Sequence, residues 1–256
     1  MRWFAGIMTM VLMTAIGCES NNSTSQQPQQ AQSTPSFLFE ESSAGLPASG
    51  RWREGLAFGD LNQDGHMDIL APPARLSEVY RTPVAWLGDG TGAWSQVSLK
   101  VPQDMGYDYG GVAVGDFDGD GIEDMGLAIH VQGLRALKGV GDLTYEPFCS
   151  GLPSSDALSS RAVVCEDLNN DGLADLAALS EGFDKGPPSG PWVCFGTGEG
   201  WTCGPVGEKE AVEGLYGDQI TTGDVNGDGE ADIAVSTHNH KKILIVWLND
   251  GKGGFV

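Results

Sequence analysis

Between residues 36 and 256 the apolar positions come in short runs, cut by turns rich in Gly, Asp and Asn. No helical periodicity competes with this pattern, and short β-prone runs bounded by turn signals read as strands. Four runs lead into an acidic turn: Leu56-Ala57-Phe58, Val112-Ala113-Val114, Ala162-Val163-Val164 and Ile220-Thr221-Thr222. Four more leave it: Ile69-Leu70-Ala71, Met125-Gly126-Leu127-Ala128, Leu176-Ala177-Ala178-Leu179 and Ile233-Ala234-Val235. A third set precedes a glycine turn: Val84-Ala85-Trp86-Leu87, Leu134-Arg135-Ala136-Leu137, Trp192-Val193-Cys194-Phe195 and Leu244-Ile245-Val246-Trp247-Leu248. A fourth begins at an aromatic residue, Trp94, Tyr145, Trp201 or Phe255. The pattern predicts an all-β chain, a β-propeller of four-stranded antiparallel blades that stack to bury both faces.

The acidic turns align without gaps. They are residues 60–68, 116–124, 167–175 and 224–232, with the pattern D-x-[DN]-x-D-G-x-x-D followed by an apolar residue. Each supplies Asp at positions 1, 5 and 9 and Asp or Asn at position 3. Such hard oxygen donors at alternate positions, on a backbone bent at a glycine, suit calcium better than magnesium, which demands octahedral geometry. A carbonyl at position 7 can add a ligand. An EF-hand needs a bidentate Glu at position 12. Here that position is Ala71, Leu127, Ala178 or Val235, so the ninth Asp is expected to close the site instead.

These loops with their flanking strands resemble FG-GAP/VCBS repeats, the blades of integrin-alpha-type propellers. Phe58-Gly59 matches the name-giving dipeptide; Val114-Gly115, Cys165-Glu166 and Thr222-Gly223 depart from it. The resemblance spans about residues 37–256 and implies calcium on Asp60, Asn62, Asp64 and Asp68 with the His66 carbonyl. It implies likewise Asp116, Asp118, Asp120 and Asp124 with Ile122; Asp167, Asn169, Asp171 and Asp175 with Leu173; and Asp224, Asn226, Asp228 and Asp232 with Glu230. Asn169 and Asn226 stand where the second loop has Asp118, so those sites are expected to be weaker. Propellers of this kind have six to eight blades and serve in adhesion or in protein or glycan binding. Four blades are visible, which predicts an incomplete ring. Three arrangements fit: a piece of a longer protein, closure of a small ring by Phe37-Leu38-Phe39-Glu40 as the missing outer strand, or two chains completing one ring.

Composition narrows the functional classes. Lys and Arg total 14 against 35 Asp and Glu, a net charge of −21. That surface repels phosphate backbones and excludes nucleic acid as a partner. The N-terminus is read as an address. Trp3 to Ile16 is apolar but short of the ~20 residues needed to span a bilayer. Ala15-Ile16-Gly17-Cys18 resembles a bacterial lipobox, which makes residues 1–17 a lipoprotein-type signal peptide and Cys18 the lipidation site; a plain secretory signal is the alternative. Residues 18–35 form a polar tether of roughly 23 Å. The membrane is then touched only through a lipid anchor, and the chain is placed at a bacterial cell envelope or surface, or secreted. Four further cysteines permit two disulfides in an exported chain. Cys194 and Cys203 face each other across a hairpin, and Cys149 with Cys165 follows by elimination.

No nucleophile elbow or phosphate loop occurs, and no catalytic residue is assigned. His238-Asn239-His240 reads as a surface turn. Trp52 and Tyr107-Asp108-Tyr109 are candidates for an exposed binding rim, while Trp86, Trp94, Trp192, Trp201 and Trp247 read as core. The function expected is a calcium-binding surface module for protein or glycan. An enzyme acting on polysaccharide on the same scaffold, or a structural spacer in a longer protein, are the alternatives.

Overall fold

The computed structural model describes residues 39–182, 189–207, 217–237 and 243–256. The signal segment, the tether, Cys18 and His238 to His240 lie outside the described residues. The chain divides into two units, Met1–Glu40 and Glu41–Val256. Of the first unit only Phe39 and Glu40 are described; neither lies in a strand, and Phe39 is 91% exposed, so these two residues supply no outer strand. Phe37 and Leu38 lie outside the described residues.

The second unit is all-β among its described residues. The first blade comprises β1 (Ala57–Gly59), β2 (Asp68–Ala71), β3 (Val84–Gly88) and β4 (Trp94–Val97). The second comprises β5 (Gly110–Gly115), β6 (Asp124–Ile129), β7 (Gly133–Gly139) and β8 (Tyr145–Pro147). The third comprises β9 (Ser160–Glu166), β10 (Asp175–Ser180), β11 (Gly190–Gly196) and β12 (Trp201–Pro205). The fourth has β13 (Gly217–Gly223), β14 (Asp232–Thr237) and β15 (Leu244–Trp247). Each sheet is an antiparallel meander in chain order, and an Asn249–Phe255 bridge begins the fourth strand of the last blade.

A strand's alternating faces decide what each residue packs against. In blades one to three, Leu61, Phe117 and Leu168, at position 2 of the acidic loop, are at most 4% exposed and pack toward the following blade. Ala85, Ala136 and Val193 of the third strands share that face. The opposite face meets the preceding blade through Met125, Leu176 and Ile233. Gly126 has no side chain because Leu176 of the next blade fills its place; a Cβ there would lie 2.5 Å from that leucine. Strands β6 and β10 are therefore buried on both faces throughout, while β14 is buried only in part. The corresponding positions of the fourth blade stand open: Val225 is 58% exposed, Val246 40% and Leu244 67%.

The first blade has a cover of its own. Ile69, Ala71, Val84 and Trp86 pack under Leu46, Trp52 and Tyr80. The Trp52 indole N–H donates to the Pro72 carbonyl at 2.9 Å, and its ring meets Trp86 edge-on at 5.4 Å. Trp52 is thus a lid on the sheet, which corrects the expectation of a binding rim there. Tyr107 likewise packs into the core between blades one and two, leaving Asp108 exposed and Tyr109 partly so. The chain before the first blade lies parallel to the approach to β4, with the Trp94 N–H on the Ala44 carbonyl at 2.8 Å. Lys100 beside Thr144 and Ser150 beside Trp201 repeat this contact in the next two blades.

Cys194 and Cys203 are directly opposed in the β11–β12 pair and form a disulfide. The second expected pair does not form, and Cys149 and Cys165 are free thiols. Cys149 follows β8 with its thiol 3.3 Å from the Ala136 carbonyl, whereas Cys165 sits on β9 in the core between blades two and three. Burial pushes the Cys165 thiol well above its usual range.

Two substitutions at one repeat position test this packing. Leu168→Ala is expected to cost about 2–5 kcal/mol through the cavity it leaves. Val225→Ala, at the same position on the open face, is expected to cost less than about 0.5 kcal/mol. Urea denaturation of the two variants reads the contrast, and equal losses would contradict it.

Candidate metal centre

The four acidic turns adopt one conformation for a local reason. The Asp at position 1 accepts backbone N–H groups from inside its own loop and so curls the chain around itself. Asp60 accepts from the N–H groups of Asp64 at 3.0 Å and Gly65 at 2.8 Å. Asp116, Asp167 and Asp224 accept from the matching amides of their loops. The glycine at position 6 is obligatory here, because Gly65, Gly121, Gly172 and Gly229 all lie at φ between 80° and 94°. The Asp at position 5 accepts from the N–H of position 7, as Asp64 does from His66 at 2.9 Å. The same bond joins Ile122 to Asp120, Leu173 to Asp171 and Glu230 to Asp228.

Position 3 differs between loops. Asn62, Asn169 and Asn226 each accept from the N–H of position 5 and donate their amide to its carboxylate, at 2.8, 3.0 and 2.8 Å. The hydrogen bond from Asn62 is the leading cause that holds the Asp64 carboxyl below its usual range. In the second loop Asp118 cannot donate. Lys138, at the end of β7, instead pairs with Asp118 and with Asp120 at 3.0 Å, and that bond lowers the Asp120 carboxyl.

The ninth Asp has a role that spacing alone does not reveal. Asp68, Asp124, Asp175 and Asp232 are at most 1% exposed. In each, one oxygen accepts the N–H of position 2: Leu61, Phe117, Leu168 or Val225, at 2.8–2.9 Å. The other accepts the N–H of the residue at the end of the third-strand segment: Gly88, Gly139, Gly196 or Asn249, at 2.7–2.9 Å. This carboxylate staples the turn to the sheet. Each oxygen keeps a second lone pair.

The donor set fits calcium: hard oxygens, flexible in number, on a turn that is already curled. In the second loop the carboxylates of Asp116, Asp118 and Asp120 lie within 4.8 Å of one another. A bound ion would be held by positions 1, 3 and 5, and would supply the positive charge that relieves repulsion among them. Side chains also link neighbouring loops. Gln63 donates to the Gly121 carbonyl at 2.9 Å, and Asn170 to Glu230 at 2.5 Å. His66 lies against Gly90.

Sequence reasoning missed Lys138, though a signal was present. It stands one place before Gly139, where the other blades carry Leu87, Phe195 and Leu248, and it faces the only Asp at position 3. It also missed a polar cluster at the opposite end of the strands. Glu181, 5% exposed, meets His130 Nδ1 at 2.9 Å, Arg161 Nε at 2.5 Å and the Ser159 hydroxyl at 3.3 Å. Tyr109 stacks on His130 at 4.8 Å, with the Arg75 guanidinium 4.7 Å from its ring. The carboxylate is engaged on both oxygens and ties the second blade to the third.

Burial raises the Asp124 carboxyl to about 7, against its two backbone hydrogen bonds, which pull it down. An unfolded Asp titrates near 3.9. The native state therefore holds this proton longer, and the group removes stability as pH rises from about 4 to about 7. A carboxyl-carbon NMR titration in chelator is expected to place the Asp124 midpoint near 7. A midpoint near 4 would contradict this.

Comparison with known proteins agrees with the repeats. Residues 167–235 match the model of the FG-GAP-like repeat, and residues 216–256 match that of the FG-GAP repeat. No curated protein matches the chain. FG-GAP repeats are thus present across the third and fourth blades.

Proposed function

We propose that this chain is a calcium-binding, extracytoplasmic β-propeller module that recognises a protein or a glycan at a cell surface. The observation that carries the reading is the repetition of one curled turn four times. In each, the carboxylates of positions 1 and 5 and the oxygen of position 3 cluster at the same edge of the sheet. Clustered acids on a chain of net charge −21 repel one another unless a cation joins them. The FG-GAP matches support a binding or adhesion role. The Cys194–Cys203 disulfide suits an exported chain. Lipidation at Cys18 and the polar tether would hold the module just off a membrane. The acidic surface argues against nucleic-acid partners.

Thermal melts of the full chain in millimolar calcium and in excess chelator test the metal reading. A site at ten times its Kd contributes about 1.4 kcal/mol. Even three such sites, of the four turns, would raise the melting temperature by roughly ten degrees for a unit of this size. A melt indifferent to calcium would return the loops to plain turns. Binding of the calcium-loaded protein to glycan and protein arrays then tests the recognition role, and a folded protein that captures nothing would count against it.

A further inference from the structure

Two departures from the repeat coincide in the second blade. Position 3 is Asp118 where the other loops have Asn62, Asn169 and Asn226. The end of the third strand is Lys138 where the others have Leu87, Phe195 and Leu248. Their side chains meet. The Lys138 ammonium pairs with Asp118 and lies 3.0 Å from Asp120, and the Asp118 side chain is only 6% exposed. In the other loops the asparagine amide supplies the hydrogen-bond donor to position 5. Here the lysine supplies it, together with a full positive charge.

We propose that Lys138 is the resident counter-ion of the second loop, and that this loop offsets its carboxylate charge without calcium while the other three need the ion to do so. The inference rests on the calcium reading of those three loops. For an ion to take the oxygens of Asp118 and Asp120, the ammonium must give up two charge-assisted hydrogen bonds. It would otherwise remain a few ångströms from a divalent cation, where like charges repel strongly. The extra carboxylate therefore does not strengthen the second site. This reverses the order of affinities that counting acids alone suggests. The exchange is local and mutual: one added acid, one added base, touching.

Native mass spectrometry with equilibrium calcium titration of the full chain tests this. The wild-type protein is expected to hold three ions tightly. The double variant Lys138→Leu with Asp118→Asn rebuilds the Leu87 and Asn62 arrangement of the first blade and is expected to hold four. Four equally tight ions in the wild type, or three in the double variant, would overturn the proposal. If the wild type binds no calcium, the calcium reading fails, and melts in chelator judge the lysine alone. Lys138→Leu should then lower the melting temperature by several degrees, and adding Asp118→Asn should restore most of the loss. Absence of that coupling would overturn the counter-ion role.

Discussion

A carboxylate cut off from water needs hydrogen-bond partners on both oxygens, or its burial is costly. In each blade the ninth residue of the acidic turn meets this demand in the same way. It takes one backbone N–H from the start of the turn and one from the end of the third strand. The bond pair fixes three things together. It sets where the turn begins, it joins the turn to a strand that is not its sequence neighbour, and it orients the side chain at position 2. That side chain is Leu61, Phe117 or Leu168, the residue that enters the next blade's core. A polar staple and an apolar interface thus hang on one backbone segment.

The same arrangement separates two tasks within one nine-residue turn. The oxygens of positions 1, 3 and 5 gather where we propose a cation binds, while position 9 holds the turn to the sheet. The turn is therefore shaped by backbone hydrogen bonds to Asp60, Asp116, Asp167 and Asp224. Its neighbours add further ties, such as Gln63 to Gly121 and Asn249 to Leu168. At the far end of the strands, Glu181 with His130 and Arg161 couples the second and third blades again. The joint between the second and third blades is therefore clamped near both ends of the strands, by the Ala174 N–H on the Asp116 carbonyl at 2.9 Å beside the turns and by Glu181 at the far end.

Most of the fold was legible because its information is local and repeated. Four gapless turns, flanked by apolar runs of strand length, placed β1 to β15 and the Asp positions. The Cys194–Cys203 pair was legible for the same reason, as a hairpin register. What escaped depends on which blade faces which side chain. Cys149 and Cys165 were paired by counting, but one follows β8 and the other packs on β9. Trp52 looked like a rim residue because it precedes its blade, yet it covers Trp86. Lys138 is an ordinary exposed-strand lysine until β7 is laid beside the Asp118 turn. The staple role of the ninth Asp escaped because spacing cannot show the amides waiting at Gly88 and Gly139.

The ninth-position carboxylate holds turn and sheet together in every blade. Native-state hydrogen exchange of the amides it accepts tests this most directly, at Leu61, Phe117 and Leu168 and at Gly88, Gly139 and Gly196. If the claim holds, these amides exchange only with opening of the whole blade, at protection close to that of the central strands. If they exchange as fast as the amide of Thr91, which donates to Asp89 in an exposed turn, the staple is incidental and the blades are held by apolar packing alone.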